Sequence, residues 1–155
     1  MIITFCGHGT LRNCEEIKER LLLLLKSLIA DGECDLYLGG YGDFDRLARE
    51  CGSILKTGNP KIKLFFITPY ITESYQKNRL ELVRDSYDGI IYPAIERVPY
   101  RYAILCRNRW MVEEADVVVA YIDHGFGGAY KTFRYALRRG KRVINIGSFH
   151  SEGEP

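Results

Sequence analysis

The chain has no apolar run long enough to cross a bilayer. Its leucine run, Leu21 to Leu25, lies between charged flanks, whereas a membrane helix needs about 20 apolar residues. It also has no surplus of one charge: 22 basic residues face 20 acidic ones, a net of +2, which gives no general electrostatic case for nucleic acid. The five cysteines (Cys6, Cys14, Cys34, Cys51 and Cys106) form no C-x-x-C pair and no zinc spacing with the three histidines. No metal and no cofactor are expected from them, and they read as reduced thiols. Met1-Ile2-Ile3-Thr4 enters a strand-like run without the charge pattern of a secretory leader, so a cytoplasmic protein is expected. There is no repeat of solenoid length, and no G-x-x-x-x-G-K-[ST] phosphate loop.

What is present is an alternation of apolar runs and helical patterns. At 155 residues the chain suits one domain that buries roughly two thirds of its unfolded surface. Strands are expected at Ile2–Cys6, Asp35–Leu38, Lys63–Thr68, Ile90–Tyr92, Asp116–Ile122 and Arg142–Ile146. Helices are expected from Asn13 to Ala30, over the stripe Phe44, Leu47, Ala48, Cys51 and Leu55, from Pro99 to Ala115, and over Ala129, Thr132, Phe133, Ala136 and Leu137. Short apolar strands between helices imply an α/β fold, a Rossmann-like three-layer sandwich with a mostly parallel sheet of about six strands. Residues 1–148 would form this single domain and residues 149–155 a polar, frayed tail.

In such sheets ligands bind beyond the carboxyl ends of the strands. Four loops fall there: Gly7-His8-Gly9-Thr10, Gly39 to Asp45, Pro69 to Asp88, and Asp123 to Gly128. Gly127 and Gly128 open a helix whose free N–H groups would favour an anion, and Lys131 and Thr132 follow in its first turns. A lysine there opposes the helix dipole and suggests an external phosphate; the plainer alternative is a glycine turn with a solvated lysine. The loop Gly39-Gly40-Tyr41-Gly42-Asp43-Phe44-Asp45 has the same backbone character with acidic side chains. Asp43 is placed as a helix N-cap, and Asp45 lies one turn in. Carboxylates repel phosphate but suit sugar hydroxyls or an amino-bearing base, so this loop reads as the ribose or base end of a nucleotide site.

Arg107 falls in the middle of an apolar arc, Tyr100, Ala103, Ile104, Trp110, Met111 and Ala115. An inward guanidinium needs a partner, either a structural aspartate (Asp116 or Asp45) or a ligand phosphate held bidentately. Gly7 and His8 close the first strand, with His8 a candidate hydrogen-bond donor to a ligand. Cys6 reads as a buried thiol, the alternative being a nucleophile. Tyr70, Tyr75, Lys77, Arg79 and Tyr87 lie in a segment that would serve as a lid, a partner surface or plain solvated surface.

The stretch R-N-R-W-M-V-E-E-A-D-V-V-V-A, Arg107 to Ala120, followed by Gly127-Gly128, resembles the Lonely Guy pattern of the SLOG superfamily. Gly39-Gly40-Tyr41-Gly42 with Asp45 is similar to the G-G-x-x-G-x-D element of that superfamily's Smf (DNA-processing protein A) branch. Small bacterial and phage SLOG proteins that open F-C-G-H and carry G-G-Y-G-x-F-D resemble nearly the whole chain. The resemblance implies a Rossmann-like fold and a nucleotide phosphoribohydrolase site, or binding of an ADP-ribose-type signal. Where Lonely Guy enzymes carry threonine and then a catalytic glutamate after the glycine pair, this chain reads A-Y-K-T-F-R, so Phe133 and Arg134 stand where carboxylates would be. That loss favours binding over turnover, as sensor or sponge. The rival is an N-glycosidase or phosphoribohydrolase acting on nucleoside monophosphates, with Asp45 as its only acid. The expected partners are a nucleotide-type small molecule and further copies of the chain in a homodimer or higher homo-oligomer, with nucleic acid (through Lys77, Arg79 and the Arg138–Arg142 cluster) ranked last and no membrane.

Overall fold

A computed structural model describes residues 1–149. Six strands form one sheet: β1 (Ile2–Gly7), β2 (Cys34–Leu38), β3 (Ile62–Ile67), β4 (Gly89–Ile91), β5 (Val117–Tyr121) and β6 (Arg142–Asn145). All five pairings are parallel, in the order β4-β3-β2-β1-β5-β6. Helices α1 (Cys14–Ile29), α2 (Gly42–Gly58), α5 (Ala103–Glu114) and α6 (Gly128–Arg138) are the long crossovers, and α3 (Glu73–Tyr75) and α4 (Glu81–Val83) are single turns. Between and after those turns the chain winds as a π-turn, Gln76–Leu80, and a 3-10 turn, Arg84–Ser86.

The three layers follow from alternation along the strands. On α1, Ile17, Leu21, Leu25 and Ile29 repeat every four residues and form one buried stripe. This stripe and Phe44, Leu47, Ala48 and Cys51 of α2 pack on Ile3, Leu36, Leu64, Val117 and Val119. The intervening β5 residues, Val118 and Ala120, face the other way and meet Val112 of α5 with Phe133 and Ala136 of α6. A strand buried on both sides has no polar alternation, which is why β5 reads as an unbroken V-V-V-A run. Each fully buried aliphatic side chain contributes on the order of 1.5–3 kcal/mol.

The expected strands and helices are present with boundaries shifted by a residue or two. The helix expected from Pro99 differs most: it starts as a 3-10 turn, Tyr100–Tyr102, before α5 begins. Its buried face is Ala103, Arg107, Met111 and Val112, while Tyr100 and Ile104 are exposed. The i, i+4, i+8 row runs through Arg107, so Ile104 turns towards the carboxyl edge of the sheet instead. At the last described residue the Phe149 amide donates to the Ile122 carbonyl at 2.9 Å, and its ring meets Tyr130 edge-on. The rest of the expected tail lies outside the described residues. No described helix is long and apolar enough to cross a membrane.

The strand order reverses between β1 and β5. The chain steps outward from β1 to β4, then returns to lay β5 on the other side of β1. Loops leaving neighbouring strands in opposite directions leave a crevice at this point.

Candidate functional site

A cleft of about 550 Å³ opens there, within the range of roughly 300–1,000 Å³ usual for small-molecule sites. Of the residues singled out from sequence, Gly7, His8, Gly39, Gly42, Asp45, Arg107, Gly127, Gly128 and Thr132 line it. Gly40, Asp43 and Lys131 do not. Residues that the sequence reading did not assign to the ligand also contribute: Thr4, Tyr41, Ile104, Asn108, His124, Phe126 and Ala129. The GGYG and GFGG loops therefore face each other across one space, as their position at strand ends implies.

Asp45 and Arg107 are committed to the backbone of the first loop. The Asp45 carboxylate accepts from the amide of Gly39 at 3.2 Å and from that of Gly40. Arg107 Nη1 donates to the carbonyls of Gly39 at 3.0 Å and Ile67 at 2.6 Å, and its Nε donates to Asn108 Oδ1 at 2.9 Å. Of the two partners open to Arg107, the structural aspartate forms no ion pair with it among the described residues, and strand-end carbonyls hold the guanidinium in its place. Asp116, one proposed partner, instead accepts from the Ile2 amide at 2.8 Å. Burial drives the Asp45 carboxyl above its ordinary range, and the two amides and Arg107 offset part of that. Burial likewise works against the Arg107 charge, with Asp45 supporting it. The carboxylate of the loop holds the loop rather than offering itself to solvent.

Gly40 is the pivot of this arrangement. Its φ is +77°, and a Cβ there would fall 2.1 Å from the Phe66 ring, so only glycine fits. Asp43 is also structural. The residue preceding α2 is Tyr41, not Asp43, and the Asp43 carboxylate accepts from the Leu11 amide at 2.9 Å while its own amide donates to Gly9. It fastens the β1–α1 loop to α2 instead of capping the helix.

The second loop is open. No side chain caps the start of α6, where Gly127 has φ +94°. A Cβ on Gly127 or Gly128 would meet nothing within 4 Å. The first amides of α6 therefore stand uncapped at the cleft, with the positive end of the helix dipole behind them. Thr132 turns its hydroxyl back to the Gly128 carbonyl at 3.1 Å. Lys131 is exposed and outside the lining.

His8, from the end of β1, is buried. Its Nε2 accepts from the Asp123 amide at 3.2 Å, so it faces the protein as an acceptor and not the ligand as a donor through that atom. Burial and the neighbouring His124 lower its pKa, with Asp123 acting in the other direction. His8 and His124 stack with ring centroids 3.6 Å apart, and Phe126 lies 4.2 Å beyond His124. Cys6 lines the floor, its thiol pushed up to about 12 by burial.

No family model matches the sequence, and comparison with curated proteins yields no match. Solved structures share the fold. DNA processing protein A from Helicobacter pylori, described as binding single-stranded DNA, superposes with a TM-score of 0.66 at 18% identity, covering 98% of this chain and 67% of that one. The Streptococcus pneumoniae DNA processing protein A gives 0.63 at 14% identity, covering 97% of this chain and 52% of that one, so this chain spans about half its length. A molybdenum cofactor binding protein from Rippkaea orientalis gives 0.58 at 20% identity, covering 96% and 77%. These likenesses fit the SLOG resemblance drawn from the motifs and establish the Rossmann-like fold.

Proposed function

We propose that the cleft binds a nucleotide or ADP-ribose-like small molecule, as a sensor or a sponge. The observation that carries this reading is the uncapped, glycine-bordered start of α6 facing the clamped GGYG loop across a cleft of about 550 Å³. Phosphate would sit on the amides of Gly128 and Ala129, approached past Gly127 and Gly128, which carry no Cβ. Tyr41, Ile104 and Phe126 give the apolar wall that a base needs. The small-molecule relative of known fold, the molybdenum cofactor binding protein, supports a ligand of this size class. Calorimetry against AMP, ADP-ribose and cyclic ADP-ribose isomers tests it.

The enzymatic alternative has less support. Asp45 spends its carboxylate on two amides of its own loop, which leaves no acid of the expected kind free to assist glycosidic cleavage. A homo-oligomer belongs to the same proposal, because exposed apolar side chains outside the cleft, Tyr100 and Leu82 among them, are surface that a second copy would cover. Sedimentation velocity reads it directly.

Single-stranded DNA is a second reading, favoured by one observation: the fold shared with the two DNA processing proteins. It runs against the expectation from net charge and predicts salt-sensitive gel shifts.

A further inference from the structure

We propose that His8, Asp123 and His124 form a binding site for a divalent transition-metal ion at the mouth of the cleft. One ligand atom from each, two imidazole nitrogens and a carboxylate oxygen, lie within 4.8 Å of one another. His8 is held at the end of β1, and the other two follow β5, the strand beside it in the sheet.

Asp123 Oδ1 lies 2.5 Å from His124 Nδ1 and 3.2 Å from His8 Nε2. One proton on His124 Nδ1 satisfies the first contact. The second has none to share, because His8 Nε2 already accepts the Asp123 amide proton at 3.2 Å. A lone pair facing a carboxylate oxygen is repulsive unless a cation stands between them. A metal ion would take the His8 Nε2 lone pair from the Asp123 amide, which turns to solvent, and would displace the His124 Nδ1 proton to water, leaving three coordinate bonds, to His8, Asp123 and His124.

The donor set selects the ion. Two imidazoles and one carboxylate suit Zn²⁺ and its first-row neighbours, whereas Mg²⁺ and Ca²⁺ prefer oxygen alone. The stacked rings are within 9° of parallel, so their lone pairs converge only after a turn of one ring. The His124 side chain is 39% exposed and precedes Gly125, and a turn of its ring would aim a nitrogen at the shared point.

The remaining coordination positions would face the cleft beside Gly127 and Gly128. Among the described lining residues Arg107 is the one permanent cation, and it is bound to two carbonyls. A metal would supply the missing positive charge opposite a phosphate. That role rests on the nucleotide reading; the metal site itself does not.

The test is titration of tag-free protein with Zn²⁺ and Co²⁺, followed by calorimetry and by cobalt absorption. One equivalent should bind, without a thiolate charge-transfer band. Asp123→Asn, His124→Ala and His8→Gln should each weaken binding by at least about tenfold while melting cooperatively without metal. Absence of one-equivalent binding at millimolar ion, a thiolate band, or equal affinity in all three variants would overturn the site. AMP titrations with and without Zn²⁺ separate the two proposals: loss of AMP binding with the metal titration intact removes the nucleotide reading and leaves the metal site standing.

Discussion

Arg107 donates to the carbonyl of Gly39 at 3.0 Å, joining α5 to the end of β2 across 68 residues of sequence. The same Nη1 reaches Ile67 at the end of β3, so one guanidinium ties two strand ends together. Arg107→Ala would leave two buried carbonyls unpaired at roughly 1–3 kcal/mol each. Urea denaturation of the ligand-free protein should show a loss of about 2–6 kcal/mol, with Arg107→Lys recovering part of it. Unchanged stability would mean that the charge is held for a ligand and not for the scaffold.

Asp45 predicts a pH dependence of defined sign. Burial raises its folded pKa above the unfolded value, so the folded state binds the proton more tightly. Its ionisation therefore costs stability above the raised value. That cost disappears as pH falls into the ordinary carboxylate range. The stability of the wild type minus that of Asp45→Asn, from urea unfolding at a series of pH values, should rise as pH falls from neutrality. A difference that is flat or falls would show that the two amides outweigh burial.

The strands and the four edge loops were legible because a buried parallel sheet writes itself as short apolar runs, V-V-V-A in β5 above all. The side-chain partners were not. Whether Arg107 meets Asp116 or the Gly39 carbonyl depends on which strand ends lie beneath α5, and periodicity along one helix does not encode that. Asp43 and Asp45 look like ligand contacts for the same reason that they are good loop fasteners: short carboxylates reach nearby amides. The His8, Asp123 and His124 cluster was missed because it exists only once β1 and β5 are neighbours. The one available signal was a histidine after the first strand and an Asp-His pair after the fifth.

Gly128 and Lys131 separate the two accounts of the second loop. A Cβ at Gly128 meets nothing in the protein, so Gly128→Ala should leave stability within about 0.5 kcal/mol. It should nonetheless weaken nucleotide binding about tenfold or more, because the methyl stands where phosphate approaches the α6 amides. Lys131→Ala should change affinity by less than about threefold, since Lys131 lies outside the lining and contributes only a screened charge. The reverse pattern in paired calorimetric titrations would restore the lysine as the phosphate ligand.

The cysteines should be slow to react. Burial pushes Cys6 up to about 12 and both Cys34 and Cys51 up to about 11. In a disulfide-exchange assay at pH 8 these three should react only on unfolding, while the half-buried Cys14 and Cys106 react in the native protein. Rapid labelling of Cys6 in the folded state would reopen its reading as a nucleophile.

The central claim is that the cleft between the GGYG and GFGG loops holds a nucleotide-type ligand by its phosphate. Isothermal titration of purified, tag-free protein with AMP and ADP-ribose measures it most directly. One ligand per site with a Kd in the micromolar range is expected for at least one of them, corresponding to about −8 kcal/mol, with the Gly128→Ala protein at least about tenfold weaker. No saturable heat from either ligand at millimolar concentration, or equal affinity in Gly128→Ala, would contradict it.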